Sequence, residues 1–253
     1  MDLHLSGRKA LVTGGTRGIG AAIVEQLAAE GARVAFCARS EDEVQARVDL
    51  LGGKGYEVAG RSLDVADGDA LASWVTDEAR EAGGIDVVVA NVSALAIGPG
   101  EQNWRNSFEV DLLHTVRLVE AAMPHLEQSD AASIIAVSSV SGREIDFANG
   151  SYGVMKGALV HYMSGLALDL APKGIRANAV SPGNVYFDGG VWQGIETGNP
   201  DLFNLAMGLN PTGRMGTPDE TAFAVVMLAS PLASRISGAN LVVDGALTRG
   251  VQL

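Results

Sequence analysis

The 253-residue chain is 47% hydrophobic and 19% charged, enough apolar material for a sizeable core, and its 32 glycines follow no low-complexity or collagen-like period. A formal charge of −12 argues against the clustered Lys and Arg of a nucleic-acid or anionic-lipid footprint. One cysteine, four histidines without compact ligand spacing, no basic N-terminal leader and no apolar run near ~20 residues lead us to expect a cytoplasmic protein without disulfide, metal or membrane span.

Taken in chain order, short apolar runs alternate with segments of helical length. "KALVTGG" reads as a first strand running into a glycine cluster, and "GIGAAIVEQLAAEG" as a helix with Ile19, Ile23, Val24 and Leu27 on one stripe, stopped by Gly31. "RVAFCAR" is a second strand that buries the Cys37 thiol, and "EVAGRSLDV", "DVVVANVS", "SIIAVSS", "IRANAVSPG" and "NLVVDG" continue the series. "QNWRNSFEVDLLHTVRLVEAAMPHLEQ" reads as a long central helix, with Pro124 as its kink or end. Apolar strands joined by helices imply an α/β fold: a Rossmann-like doubly wound parallel sheet of about seven strands, helices on both faces, in a single domain spanning residues 1–253. Residues 184–216, rich in glycine and aromatics, break this rhythm and read as a substrate loop beside the site.

The glycine cluster "VTGGTRGIGAAIVEQL" allows a tight turn and close approach of a pyrophosphate to the amides of a helix N-terminus. Its spacing, Gly14, Gly18 and Gly20, is G-x-x-x-G-x-G rather than G-x-G-x-x-G. Where an NAD-selective chain would offer an acid at the end of the second strand, this one has Ala38 and Arg39, with Ser40 beyond and Arg17 inside the glycine turn; two cations there favour the 2′-phosphate of NADP(H) over NAD(H). In "SYGVMK", Tyr152 and Lys156 are four residues apart, so a helix sets them on one face. A cation there favours the phenolate, as proton exchange with a substrate requires.

Together these landmarks resemble the classical short-chain dehydrogenase/reductase family over nearly the whole chain. The family's T-G-x-x-x-G-I-G appears as Thr13-Gly14-Gly15-Thr16-Arg17-Gly18-Ile19-Gly20, its D-V as Asp64-Val65, and Ser139 precedes the Tyr152-x-x-x-Lys156 pair at the family distance, followed by "SPG" and "VVDGA". The resemblance implies interconversion of a ketone and a secondary alcohol. Tyr152 would be the acid/base, Ser139 would bind the substrate oxygen, and Lys156 would activate the tyrosine and hold the nicotinamide ribose. Carried over by position, Gly14, Thr16, Arg17, Gly18, Ile19, Gly20, Arg39, Ser40, Asp64, Val65, Asn91, Tyr152, Lys156, Pro182, Gly183 and Val185 would contact the cofactor. It also implies a homotetramer or homodimer, with the central helix and "ANLVVDGALTRGVQL" as candidate interfaces.

Three positions depart from the pattern. N-N-A-G reads Ala90-Asn91-Val92-Ser93, the helix asparagine of the catalytic tetrad is Asp111, and the threonine expected after the Pro-Gly pair is replaced, with Phe187 in its place. Ser93, Leu95, Glu144, Phe147, Tyr186, Trp192, Phe203 and Met207 are the candidate pocket residues, a mostly apolar set suited to a cyclic or extended ketone. The alternatives are a non-redox or a non-catalytic NADP(H)-binding protein on the same fold.

Overall fold

The computed structural model describes residues 2–250. Seven parallel strands, β1 (Lys9–Thr13), β2 (Arg33–Ala38), β3 (Val58–Ser62), β4 (Val87–Ala90), β5 (Ser133–Val137), β6 (Arg176–Pro182) and β7 (Asn240–Val243), form one sheet in the order β3-β2-β1-β4-β5-β6-β7. Helices α1 (Gly18–Ala29), α2 (Glu41–Gly52) and α9 (Pro218–Ala229) cover one face, and α3 (Gly68–Ala82), α5 (His114–Leu126) and α6 (Ser151–Leu170) the other. The central strands bury side chains alternately on both faces. Ile134 and Ala136 of β5 join the core under α3, α5 and α6, whereas Ile135 and Val137 join the core under α1 and α9.

The edges differ from the expected apolar runs: β3 leaves Gly60, Arg61 and Ser62 exposed, and β7 is only half-buried, because each has a neighbour on one side only. The strand order reverses between β1 and β4, and the crevice at the carboxyl ends of these strands is where open α/β sheets bind ligands.

The central helix is interrupted. α4 (Glu101–Ser107) passes into a π-helical stretch, Phe108–Leu113, before α5, and Pro124 lies inside α5, which continues to Leu126. The amide lost at Pro124 falls in the final turn, so the helix is not ended there. Residues 184–216 also differ from expectation. They fold into α7 (Val191–Gly198) and α8 (Pro200–Leu209), with Trp192, Ala206 and Met215 buried together against Tyr186, Ile195, Phe203 and Met207. A parallel bridge between Val185 and Gly216 clamps the two ends of this strap. Among the described residues, no helix is long and apolar enough to cross a membrane. Of the candidate interface segment at the carboxyl end, residues 251–253 lie outside the described residues.

Candidate active site

The glycine turn follows β1. Gly14 and Gly18 have φ of 75° and 54°, a region that disfavours side chains. The turn is also too tight for them. A Cβ on Gly20 would strike the Gly14 carbonyl and lie 2.5 Å from Asn91 Nδ2. Asn91, just past β4, fastens the turn: its Nδ2 donates to the carbonyls of Thr13 (3.1 Å) and Gly14 (3.3 Å), and its amide donates to Thr13 Oγ1 (3.0 Å). Arg17, the N-cap of α1, supplies no side-chain cap, and the first turn of α1 holds no acid. A helix N-terminus left uncapped at a glycine turn fits an anionic group such as a pyrophosphate.

At the end of β2, Arg39 and Ser40 are exposed, as is Arg17, and neither arginine is ion-paired among the described residues. Ser40 caps α2 by accepting from the Glu43 amide (3.3 Å), while Thr16 donates to Glu43 Oε2 (3.1 Å). The loop after β3 holds Asp64, which accepts from the Ala66 amide (3.0 Å), and buried Val65. Pro182 ends β6; beyond it Gly183 donates to the Val243 carbonyl (3.0 Å), and Val185 makes the strap bridge. Phe187 lies over the glycine turn: a Cβ on Gly18 would sit 2.5 Å from its Cζ.

Tyr152 and Lys156 occupy the first turns of α6. Lys156 is 2% exposed; its Nζ donates to the Val137 carbonyl (3.0 Å), lies 5.7 Å from the Tyr152 ring centroid and pairs with Asp111 Oδ1 at 3.3 Å. Asp111 is fully buried on the π-helical stretch, and its Oδ2 accepts from the Ala94 amide (3.4 Å). The tetrad departure thus produces a buried ion pair with the helix lysine.

The two serines after β5 separate by their bonds. Ser138 donates to the Lys156 carbonyl (2.8 Å) and ties β5 to α6. Ser139 accepts from the Ser141 amide (3.1 Å), which leaves its proton available to another acceptor. The short turn Val140–Gly142 that follows packs on α6, where a Cβ on Gly142 would lie 2.7 Å from the Lys156 carbonyl carbon.

Sequence reasoning passed over His114, three residues after Asp111. It is 1% exposed, with one ring nitrogen on the Val110 carbonyl and Nε2 3.3 Å from Thr13 Oγ1. Burial, aided by the nearby Lys156 charge, pushes its pKa down to about 4. Cys37 is buried, and burial pushes its thiol up to about 12.

The candidate pocket residues divide. Phe147 meets Trp192 edge-on at 5.6 Å, joining the loop before α6 to the strap, and Ser93 accepts from the Leu95 amide (3.0 Å). Glu144 is engaged by the Gly250 amide (3.0 Å). Tyr186 donates to Glu196 (2.6 Å) and packs on Phe203 at 6.2 Å, so with Phe203 and Met207 it belongs to the strap's own small core. Among the described residues, no group of three or more His, Cys, Asp or Glu could hold a metal ion.

Residues 14–248 match the family model described as enoyl-(acyl carrier protein) reductase. The chain is 40% identical over 252 residues to isoepoxydon dehydrogenase patN of Penicillium expansum, covering 98% of this chain and 97% of the relative. It is 32% identical to the 3-oxoacyl-[acyl-carrier-protein] reductase FabG of Vibrio cholerae, with 97% and 99% covered. The crystal structure of a short chain dehydrogenase from Burkholderia cenocepacia in complex with NADP superposes with a TM-score of 0.88 at 30% identity, over 96% of this chain and 98% of that one. With the parallel sheet, the glycine turn and the Ser139, Tyr152 and Lys156 positions already in view, these matches mean that the chain belongs to the classical short-chain dehydrogenase/reductase family of oxidoreductases.

Proposed function

We propose that this protein is an NADP(H)-dependent oxidoreductase that interconverts a ketone and a secondary alcohol by hydride transfer, with Tyr152 as the acid/base. The observation that carries this reading is the Lys156 ammonium held 5.7 Å from the Tyr152 ring, on a helix tied by Ser138 to the strand end that presents Ser139. When bound, the nicotinamide supplies or accepts the hydride. Tyr152 gives its proton to the carbonyl oxygen during reduction and takes one from the alcohol during oxidation, and the Lys156 charge favours the phenolate left behind. Ser139 donates a hydrogen bond to the same oxygen and stabilises its developing charge. Asp111 is a positioning residue, since it holds Lys156 and offsets part of its charge.

Preference for NADP(H) over NAD(H) is supported by exposed Arg17 and Arg39 at the two loops that would meet a 2′-phosphate. The carboxylate of Glu43 on Thr16, with Glu41 and Asp42 beside it in the first turn of α2, works against it. The exposed Phe147 ring, beside the strap, suits an apolar ketone or alcohol. The fully non-redox and non-catalytic readings gain no support from a Ser139 proton and a Tyr152 phenol left available in the crevice. We further propose a cytoplasmic homotetramer or homodimer, for which the exposed Val154 and Leu168 of α6 offer apolar contact.

The test is a ketone panel assayed with NADPH deuterated at the reactive nicotinamide carbon. The proposal expects one deuterium in the alcohol product, and NADPH outperforming NADH. NADPH loss without labelled alcohol, or no turnover with any ketone or alcohol, would refute it.

A further inference from the structure

The glycine turn has one feature that a ready-made cofactor cradle lacks: a phenyl ring on top of it. A Cβ built on Gly18 would lie 2.5 Å from Phe187 Cζ and 2.8 Å from Cε2, so the rim of the ring touches the glycine that opens α1. The other side of the ring meets Gly190, where a Cβ would lie 3.0 Å from Cε1 and Cζ. The Gly190 amide closes the arrangement by donating to the Phe187 carbonyl at 3.0 Å. The ring is thus held between the first residue of α1 and the beginning of the strap, and it is half-buried there.

An anion bound at a helix N-terminus must come within hydrogen-bond distance of the first-turn amides, and Gly18 and Ile19 supply those amides here. A phenyl edge in van der Waals contact with Gly18 leaves no room for a phosphate oxygen in the same space, and it offers no hydrogen bond in exchange. We propose that Phe187 is a gating residue for the cofactor: its ring covers the amides of the glycine turn, and a dinucleotide pyrophosphate seats only after the ring and the adjoining strap turn have swung aside. The inference rests on the reading that a dinucleotide binds at this turn.

Several neighbouring features fit a movable ring. Gly189, with φ of 75°, and Gly190 flank it, and the strap keeps its own small core of Trp192, Ala206 and Met215. The Val185–Gly216 bridge also anchors the strap ends independently of the ring. Phe187 can therefore leave without unpacking the strap. Its displacement returns about half of a phenyl side chain to water, so the closed ring weakens dinucleotide binding by about tenfold.

The experiment measures NADPH binding by nicotinamide fluorescence, with stopped-flow association rates, for the wild type, Phe187→Ala and Phe187→Thr, each verified as folded by its melting curve. Adenosine 2′-monophosphate, which carries the 2′-phosphate but neither phosphate of the pyrophosphate, serves as a probe of the adenosine end. The proposal expects NADPH to bind both variants about tenfold more tightly, through a faster association rate, while the affinity for adenosine 2′-monophosphate stays the same in all three proteins. NADPH binding that is unchanged or weaker in both folded variants overturns the gate and leaves the dinucleotide reading standing. Absence of NADPH and NADH binding in every protein overturns both.

Discussion

Replacing Asp111 with asparagine removes one buried negative charge and keeps the shape of the side chain. In the present structure the carboxylate lies 3.3 Å from Lys156 Nζ, which is itself 5.7 Å from the Tyr152 ring centroid. The carboxylate is therefore at most about 9 Å from the ring, and at an effective dielectric constant of about 20 its field there opposes the phenolate by about 2 kcal/mol. Without it the lysine acts on Tyr152 unopposed, so the phenolate forms at lower pH. Alcohol oxidation, which needs that phenolate as its base, should then turn on at lower pH in Asp111→Asn than in the wild type. The variant should also melt earlier, because Lys156 stays buried without its counter-charge, a loss of up to about 3 kcal/mol. The assay is the pH profile of alcohol oxidation at saturating cofactor. An unmoved profile with lowered melting would refute the electrostatic role and leave Asp111 a purely structural partner; an inactive variant would mean that the carboxylate itself is required.

Folding stability should weaken in acid through His114. Its pKa is about 4 when folded against 6.5 as the ordinary value, so its contribution is complete above pH 6.5 and is lost progressively as pH falls towards 4. The difference corresponds to about 3 kcal/mol, and denaturant midpoints of His114→Gln between pH 4 and 7 should be correspondingly flatter than those of the wild type. The serine pair should separate cleanly: Ser138→Ala should lower the unfolding free energy by about 1 kcal/mol while retaining turnover, and Ser139→Ala should lose turnover while leaving stability nearly unchanged. Arg39→Glu should weaken NADPH by roughly 1 to 3 kcal/mol in a fluorescence titration and spare NADH; equal losses would remove Arg39 from the phosphate site.

Much of the fold was legible because a parallel sheet buried on both faces leaves a strong mark. Val87, Val88, Val89, Ile134 and Ile135 are apolar in unbroken runs, and the glycines at 14, 18 and 20 punctuate the first strand and helix. Helical spacing alone set Tyr152 and Lys156 on one face, whereas Ser139 was singled out only through the family resemblance. What stayed hidden depends on contacts between distant segments. The direct Asp111–Lys156 pair is made from a π-helical stretch, whose widened turn has no sequence signature in "FEVDLLHT". The sequence also marked Tyr186, Phe203 and Met207 as aromatic or apolar without saying that they turn inward to a core of the strap's own. Glu144 is met by a backbone amide 106 residues away, a contact no spacing argument reaches.

The central claim is that Tyr152 supplies the proton that accompanies hydride transfer, and Tyr152→Phe tests it with the least disturbance, since only the hydroxyl is removed. Binding of NADPH and turnover of an accepted ketone should be measured on the same folded preparation. Turnover lost by at least about a thousandfold with NADPH affinity unchanged is the predicted result; turnover retained by the phenylalanine variant would contradict it, because another group would then have to be the acid.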